Sequence, residues 1–208
     1  KKFKFILTND QIKAMKEINN DLKSKQRMFR LLQGDVGSGK TIIALIAALN
    51  VIKSGFQVAL MVPTEILAKQ HYNFASDLFG KDISIELLTG KTEYKQKKST
   101  LENIKQNKIK LIIGTHALFQ KKVDYKNLGL IIIDEQHKFG VRQRKELSDK
   151  GGNNCDVLVM SATPIPRTMI MTIYGDMDVT LIKEKPKNRK AITTYSCLLY
   201  TSPSPRDP

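Results

Sequence analysis

Cysteine is scarce: Cys155 and Cys197 are the only two in 208 residues. Two thiols that far apart make neither a disulfide framework nor a thiolate metal cluster, so a reducing compartment is the expectation. Long hydrophobic runs are also missing. Nothing reaches the roughly 18 apolar residues of a membrane span, and the opening KKFKFILTND lacks the apolar stretch of a signal peptide, which predicts a soluble cytoplasmic chain with no membrane partner. Acidic residues are in deficit, with 20 Asp+Glu against 35 Lys+Arg and a formal charge of +15. That imbalance is the footprint expected for a polyanionic partner such as nucleic acid, although a lysine-rich surface serving only solubility would carry the same charge. Lysine outnumbers arginine, so phosphate contacts would be point charges blind to base sequence rather than forked readout. No internal repeat is visible. The length suits one good-sized α/β domain and is short for two. The chain starts without Met and in mid-pattern, as a piece of something longer would.

Against these absences stands one segment of high information, GDVGSGKT, Gly34 to Thr41. It fits the phosphate-loop pattern G-x-x-x-x-G-K-[ST] at every position. Gly34, Gly37 and Gly39 let the backbone turn tightly, so that the N–H groups around Ser38 aim at an anion. Lys40 supplies charge for the outer phosphates of a nucleoside triphosphate such as ATP, and Thr41 a hydroxyl for Mg²⁺. The flanks agree, since RMFRLLQ before it predicts a strand and TIIALIAALNVIK after it a helix whose N-terminus faces the phosphates. A glycine-rich turn that matches by accident is the plainer alternative.

Upstream, Thr8 to Gln11 opens a helix predicted to run to about Leu22, with Ile12, Met15 and Ile18 on one face. Thr8 and Gln11 have capping-box spacing. The residues alone leave this open against a second role, in which the Gln11 amide reads the two-faced edge of adenine while Phe5 packs on the base. Downstream, FQVALMV predicts a strand covered on both faces, and Thr64 caps a helix over ILAKQHYNFASDLF. DISIELL predicts another strand, followed by Thr89 and Gly90 in a turn and a lysine-rich helix through TEYKQKKSTLENIKQNK, more simply a solvated face than a dedicated site. KLIIGTHAL repeats the theme, with Gly114, Thr115 and His116 at the strand end; His116 is given no proton-transfer role.

The second anchor is LGLIIIDEQH. Its apolar run delivers Asp134 and Glu135 together at a strand tip, where one carboxylate can serve Mg²⁺, directly or through water, and the other can activate the water that attacks a γ-phosphate. A basic helix is expected in FGVRQRKELSDKGG. CDVLVM then predicts a buried strand ending in Ser161-Ala162-Thr163, whose hydroxyls are held in a loop stiffened by Pro164 and Pro166. After a helix RTMIMTIYG, an edge strand is expected in DMDVTLIKEK. The last dozen residues break the pattern: three of the seven prolines fall between Pro203 and Pro208. Residues 196–208 are expected to be a disordered tail or a segment foreign to the domain, resembling translated adapter sequence, while 1–195 form one domain.

Together these segments resemble the first motor domain of the superfamily two helicases, and among them the bacterial helicases of branched DNA. LTNDQ with Phe5 resembles the adenine-recognition motif, GDVGSGKT motif I, MVPTEILAKQH motif Ia, LLTGK and GTHAL the following DNA-side motifs, IIIDEQHKFGVRQR motif II and MSATPIPRT motif III. Transcription-repair coupling factors share the GDVG-type loop and the TPIPRT turn, but typically have Glu where this chain has Gln136. The resemblance implies a RecA-like P-loop NTPase fold, a mainly parallel sheet with helices on both faces. It implies ATP and Mg²⁺ as ligands and branched DNA as partner. By role, Gln11 and Phe5 would hold adenine, Lys40 and Thr41 phosphate and Mg²⁺, Asp134 Mg²⁺, and Glu135 the attacking water. Gln136, His137, Ser161 and Thr163 would couple nucleotide state to DNA movement, and Thr64, Thr89, Gly90 and Thr115 would touch the DNA backbone. It also implies a wedge domain and a second motor domain that this chain lacks, and hence weak hydrolysis by the chain alone. A nucleotide-gated DNA-binding module without catalysis is the rival reading; Glu135 speaks against it, since a pure switch needs no water-activating base.

Overall fold

The computed structural model describes residues 6–120, 122–134, 155–163 and 177–184. In chain order the elements are α1 (Asn9–Lys23), β1 (Phe29–Gly34), α2 (Lys40–Lys53), β2 (Gln57–Met61), α3 (Glu65–Phe79), β3 (Ile85–Leu88), α4 (Tyr94–Lys105), β4 (Leu111–Gly114), β5 (Leu128–Asp134), β6 (Asp156–Ser161) and β7 (Asp178–Ile182). The seven strands form one sheet in the order β3-β4-β2-β5-β6-β1-β7. Every pairing in it is parallel. The strand expected in DMDVTLIKEK is β7, at the sheet's edge. The basic helix expected after motif II, the helix expected in RTMIMTIYG and the C-terminal tail lie outside the described residues.

The continuous apolar runs have a simple cause. Side chains alternate between faces along a strand, so a sheet covered on both sides is apolar at most positions on either face. In β5, Leu130 and Ile132 pack into one core, and Ile131 and Ile133 into the other. In β2, Val58 and Leu60 divide from Ala59 and Met61 in the same way. Helix α2, with Ile43, Leu45 and Val51 buried, lies in the first core together with residues of α1 and α3. The second core includes Ile104 of α4 and Leu118 of the short helical turn His116–Phe119. Each Leu or Ile buried this fully contributes about 1.5–3 kcal/mol relative to exposure, which is why the central strands tolerate little polarity.

One expectation is corrected. The buried stripe of α1 is Gln11, Ala14 and Ile18, while Ile12 is 41% exposed. Hydrogen bonds draw Gln11 inward, and at 100° per residue the helix cannot also bury its neighbour on the same side.

Because the sheet is wholly parallel, all strand ends of one polarity share an edge. Register fixes their level: Gln33 lies opposite Ser161, Asp134 opposite Met160, and Gly114 opposite both Met61 and Leu88. The loops that leave β1, β2, β3, β4 and β6, and Asp134 at the tip of β5, therefore lie along one rim, where open α/β sheets bind ligands.

Candidate functional site

The glycine loop leaves β1 and enters α2 as its sequence requires. Gly37 and Gly39 adopt φ of 77° and 89°, a region in which a side chain is strained. Gly39 is doubly constrained, because a Cβ there would stand 2.3 Å from Gln11 Nε2. Lys40 Nζ donates to the carbonyls of Gly34 at 2.6 Å and Asp35 at 2.9 Å, so the lysine lies folded over the mouth of its own loop. The Ser38 hydroxyl is buried and has no hydrogen-bond partner among the described residues. A cavity of about 400 Å³ opens beside the loop, lined by Gly37, Gly39, Lys40 and Thr41 on one side and by Gln70, His71 and Phe74 of α3 on the other.

Gln11 fills the capping role its position offers and also reaches the glycine loop. Its side-chain oxygen accepts from Thr8 N at 3.0 Å and its own N–H donates to Thr8 Oγ1 at 3.3 Å, which completes the capping box. Its amide nitrogen donates to the Ser38 carbonyl at 2.7 Å, inside the phosphate loop. These bonds use one of the two amide N–H groups and one oxygen lone pair. Phe5 lies outside the described residues, and so do Glu135, Gln136 and His137.

Asp134 ends β5 one strand away from β1, with β6 between them. Its Oδ2 stands 3.0 Å from Nε2 of His71, and the two side chains are only 15% and 10% exposed. His71 thus forms cavity wall and carboxylate partner at once. Sequence reasoning passed over it. The available signal was a polar residue inside the buried stripe of α3, which runs Ala68, His71, Ala75, Phe79.

On β6, the Ser161 hydroxyl accepts from Thr163 N at 3.2 Å and lies 3.0 Å from Thr163 Oγ1, so the two hydroxyls meet in one turn; Pro164 and Pro166, expected to stiffen it, lie outside the described residues. A second overlooked residue anchors it: Gln33, the last side chain before the glycine loop, donates from Nε2 to the Thr163 carbonyl at 2.9 Å. Phosphate loop and hydroxyl turn are therefore tied through one amide.

The other rim residues gather on the β3-β4-β2 half. Thr64 is exposed and caps α3 by accepting from Leu67 N at 3.3 Å. Thr89 is 6% exposed and its N–H is taken by Thr92 Oγ1 at 3.0 Å. Gly90 is exposed and Thr115 half-buried. Lys91 pairs with Glu65 at 3.2 Å across the gap between the β3 loop and α3.

The parts fit a magnesium nucleotide. A buried hydroxyl without a partner among the described residues, a cradle closed to any Cβ at position 39, and a lysine whose Nζ lies over the Gly34 and Asp35 carbonyls are what an anion-receiving loop presents. Among the described residues no group of three or more His, Cys, Asp or Glu could hold a metal alone. One carboxylate and one threonine beside a phosphate cradle suits Mg²⁺, which takes most of its ligands from water and phosphate.

The family model for DEAD/DEAH box helicases matches residues 8–172. The chain is 55% identical over 196 residues to the ATP-dependent DNA helicase RecG of Aquifex aeolicus, an alignment covering 93% of this chain and 25% of that protein. It is 53% identical over 196 residues to RecG of Bacillus subtilis, covering 94% and 29%. A structure of RecG bound to a three-way DNA junction matches with a TM-score of 0.79 at 48% identity, over 91% of this chain and 25% of that one. The DEAD-box helicase Mss116 bound to ssRNA and UDP-BeF matches with a TM-score of 0.62 at 20% identity, over 85% and 40%, a likeness of fold alone. The chain spans 25% and 29% of the length of the two curated relatives described.

Proposed function

The chain belongs to the DEAD/DEAH box helicase family, and from that premise we propose that it is the first motor domain of a RecG-type ATP-dependent DNA helicase, which remodels branched DNA in repair and recombination in the bacterial cytoplasm. The observation that carries this reading is the meeting of Lys40 and Thr41 with His71 around one cavity, with Asp134 held 3.0 Å from the histidine. Residues far apart in sequence thus supply the phosphate side and the carboxylate side of a single site.

In this reading the backbone N–H groups of the loop and the N-terminus of α2 receive the phosphates. Lys40 leaves the Gly34 and Asp35 carbonyls for the outer phosphate oxygens. Thr41 and Asp134 are the residues to hold Mg²⁺, with Asp134 acting directly or through water. When bound, the ion neutralises charge on the β- and γ-phosphate oxygens. Glu135, next along from Asp134, takes the role of orienting and deprotonating the attacking water. Gln11 and Phe5 hold adenine. Thr64, Thr89, Gly90 and Thr115 are proposed contacts to the DNA backbone, and Ser161, Thr163, Gln136 and His137 pass the nucleotide state to that face. In the intact protein a wedge domain and a second motor domain, the latter with arginine fingers, complete the machine; such a finger is worth about 10³ to 10⁵ in turnover, so this segment alone hydrolyses ATP slowly.

The test uses the full-length protein. Glu135→Gln keeps ATP binding and loses DNA-stimulated phosphate release and fork unwinding, while Lys40→Ala loses nucleotide binding as well. DNA-stimulated turnover that survives Glu135→Gln overturns the motor assignment and leaves a nucleotide-gated DNA-binding module.

A further inference from the structure

Helix α3 reaches both halves of the rim. Its cap, Thr64, is exposed beside the loops that follow β3 and β4, while His71 is buried against Asp134. From Thr64 to His71 is about two helical turns, or roughly 10 Å, and two residues so spaced lie on the same side of the helix. The proposed DNA face and the metal carboxylate are therefore joined by one short, capped, rigid rod.

The contact is specific in its chemistry. An ionised carboxylate only accepts hydrogen bonds, so the 3.0 Å contact makes His71 Nε2 the donor and Asp134 Oδ2 the acceptor. One oxygen of Asp134 is thereby fixed in direction. At 10% and 15% side-chain exposure, water offers little competition for the bond. Gln70 and Phe74, which flank His71, line the nucleotide cavity, so a displacement of α3 moves the cavity wall and the carboxylate's anchor together.

We propose that His71 is a positioning residue for Asp134, and that α3 is the element through which DNA bound at Thr64 tightens or loosens the metal carboxylate. This rests on the reading of Asp134 as the Mg²⁺ residue. Hydrogen-bond partners of metal-binding carboxylates have a recognisable signature when removed, typically a loss of about 10–100-fold in metal affinity. The nucleotide's own grip on the glycine loop is untouched by such a loss.

The experiment measures binding of a fluorescent, non-hydrolysable ATP analogue to the full-length protein as Mg²⁺ is titrated, with and without a forked DNA. His71→Leu removes the donor, and His71→Gln keeps an N–H at similar reach. In His71→Leu the Mg²⁺ concentration for half-maximal binding rises about tenfold. Affinity measured in EDTA stays at the wild-type value, and forked DNA no longer lowers the Mg²⁺ requirement. His71→Gln restores the Mg²⁺ response. Where the leucine variant does not fold, His71→Asn replaces it: equally polar but one methylene too short, it must show the same rise. A wild-type Mg²⁺ response in the leucine or asparagine variant, alongside a raised requirement in Asp134→Ala, overturns the inference and leaves the site assignment standing. A wild-type response in Asp134→Ala overturns both.

Discussion

Gln11 and Ser38 are joined across the floor of the phosphate loop: the Gln11 amide nitrogen donates to the Ser38 carbonyl at 2.7 Å, and the contact is buried. The same side chain caps α1 through Thr8. The geometry of the loop is thus tied to the first turn of α1.

Gln11→Glu separates the two functions. A glutamate at this position still accepts the Thr8 N–H, as in an ordinary capping box, but presents an oxygen to the Ser38 carbonyl where a donor is needed. A buried carbonyl facing a carboxylate costs about 1–3 kcal/mol. The thermal midpoint of the variant falls and its affinity for an ATP analogue weakens. A melt and an analogue affinity both equal to wild type reject the claim that the Ser38 contact holds the loop.

Gly114 ends β4 where the chains crowd. A Cβ there would lie 1.9 Å from the Leu88 carbonyl oxygen, a clash with backbone that no rotamer relieves. Gly114→Ala must therefore push β3 from β4 and displace Thr89 and Thr115, which follow those strands. The expected loss is about 1–3 kcal/mol in stability, as for other overpacked sites. In the full-length protein, DNA affinity falls with it, while ATP-analogue affinity, set on the β1–β6 half, moves less. Equal losses in the two affinities would show that the β3–β4 edge is no DNA face.

Much of this was legible because its causes are local. The glycine loop, the Thr8 and Thr64 caps and the double-faced strands each follow from residues close in sequence. What escaped has partners far along the chain. Gln57 sits in the apolar-looking FQVALMV run, yet it is fully buried, with its amide donating to the Ile104 and Ile109 carbonyls and accepting from Lys126 and Asn127 N–H. Arg30 likewise is buried near the start of β1, bonded to Asp21 and Thr180 and paired with Glu17. Periodicity reports that a position is buried and says nothing about a polar side chain whose partners come from elsewhere. His71 and Gln33 were missed for the same reason, and Ile12 was misplaced because the bonds of Gln11 outweigh one apolar contact.

Asp10 gives the fold a pH dependence of predictable sign. Its carboxylate accepts from Glu184 N at 3.0 Å and Lys183 N at 2.8 Å, and these bonds hold its pKa below the ordinary 3.8. A carboxylate whose pKa is lowered by folding adds stability that is fully present above the unfolded pKa and is lost as pH falls through the folded one. Asp10→Asn should therefore lower the urea midpoint at pH 7, and the two proteins should converge as pH drops below 3.8. The group is exposed, so the difference at pH 7 is small. A gap that widens toward acid would contradict the assignment.

Gln33 offers the sharpest separation of stability from coupling. Its amide bridges the strand that feeds the phosphate loop to the carbonyl of Thr163, which also receives the Ser161 hydroxyl at 3.2 Å. Gln33→Met keeps the volume and the strand but removes the donor. Because the Thr163 carbonyl retains a second donor and Thr163 is exposed, the stability cost is about 0.5–1.5 kcal/mol, that of one ordinary hydrogen bond. In the proposed coupling, the hydroxyl turn then no longer moves with the loop proposed to receive phosphate. In the full-length protein the ratio of DNA-stimulated to unstimulated ATP turnover should fall, with the larger part of the loss in the stimulated rate, while a Gly34→Ala variant, which crowds Ile182 and Ser38 at 2.8 Å, should lower both rates together. If Gln33→Met leaves the ratio at its wild-type value, the amide bridge is only a structural bond, and the nucleotide state must reach the hydroxyl turn by another route.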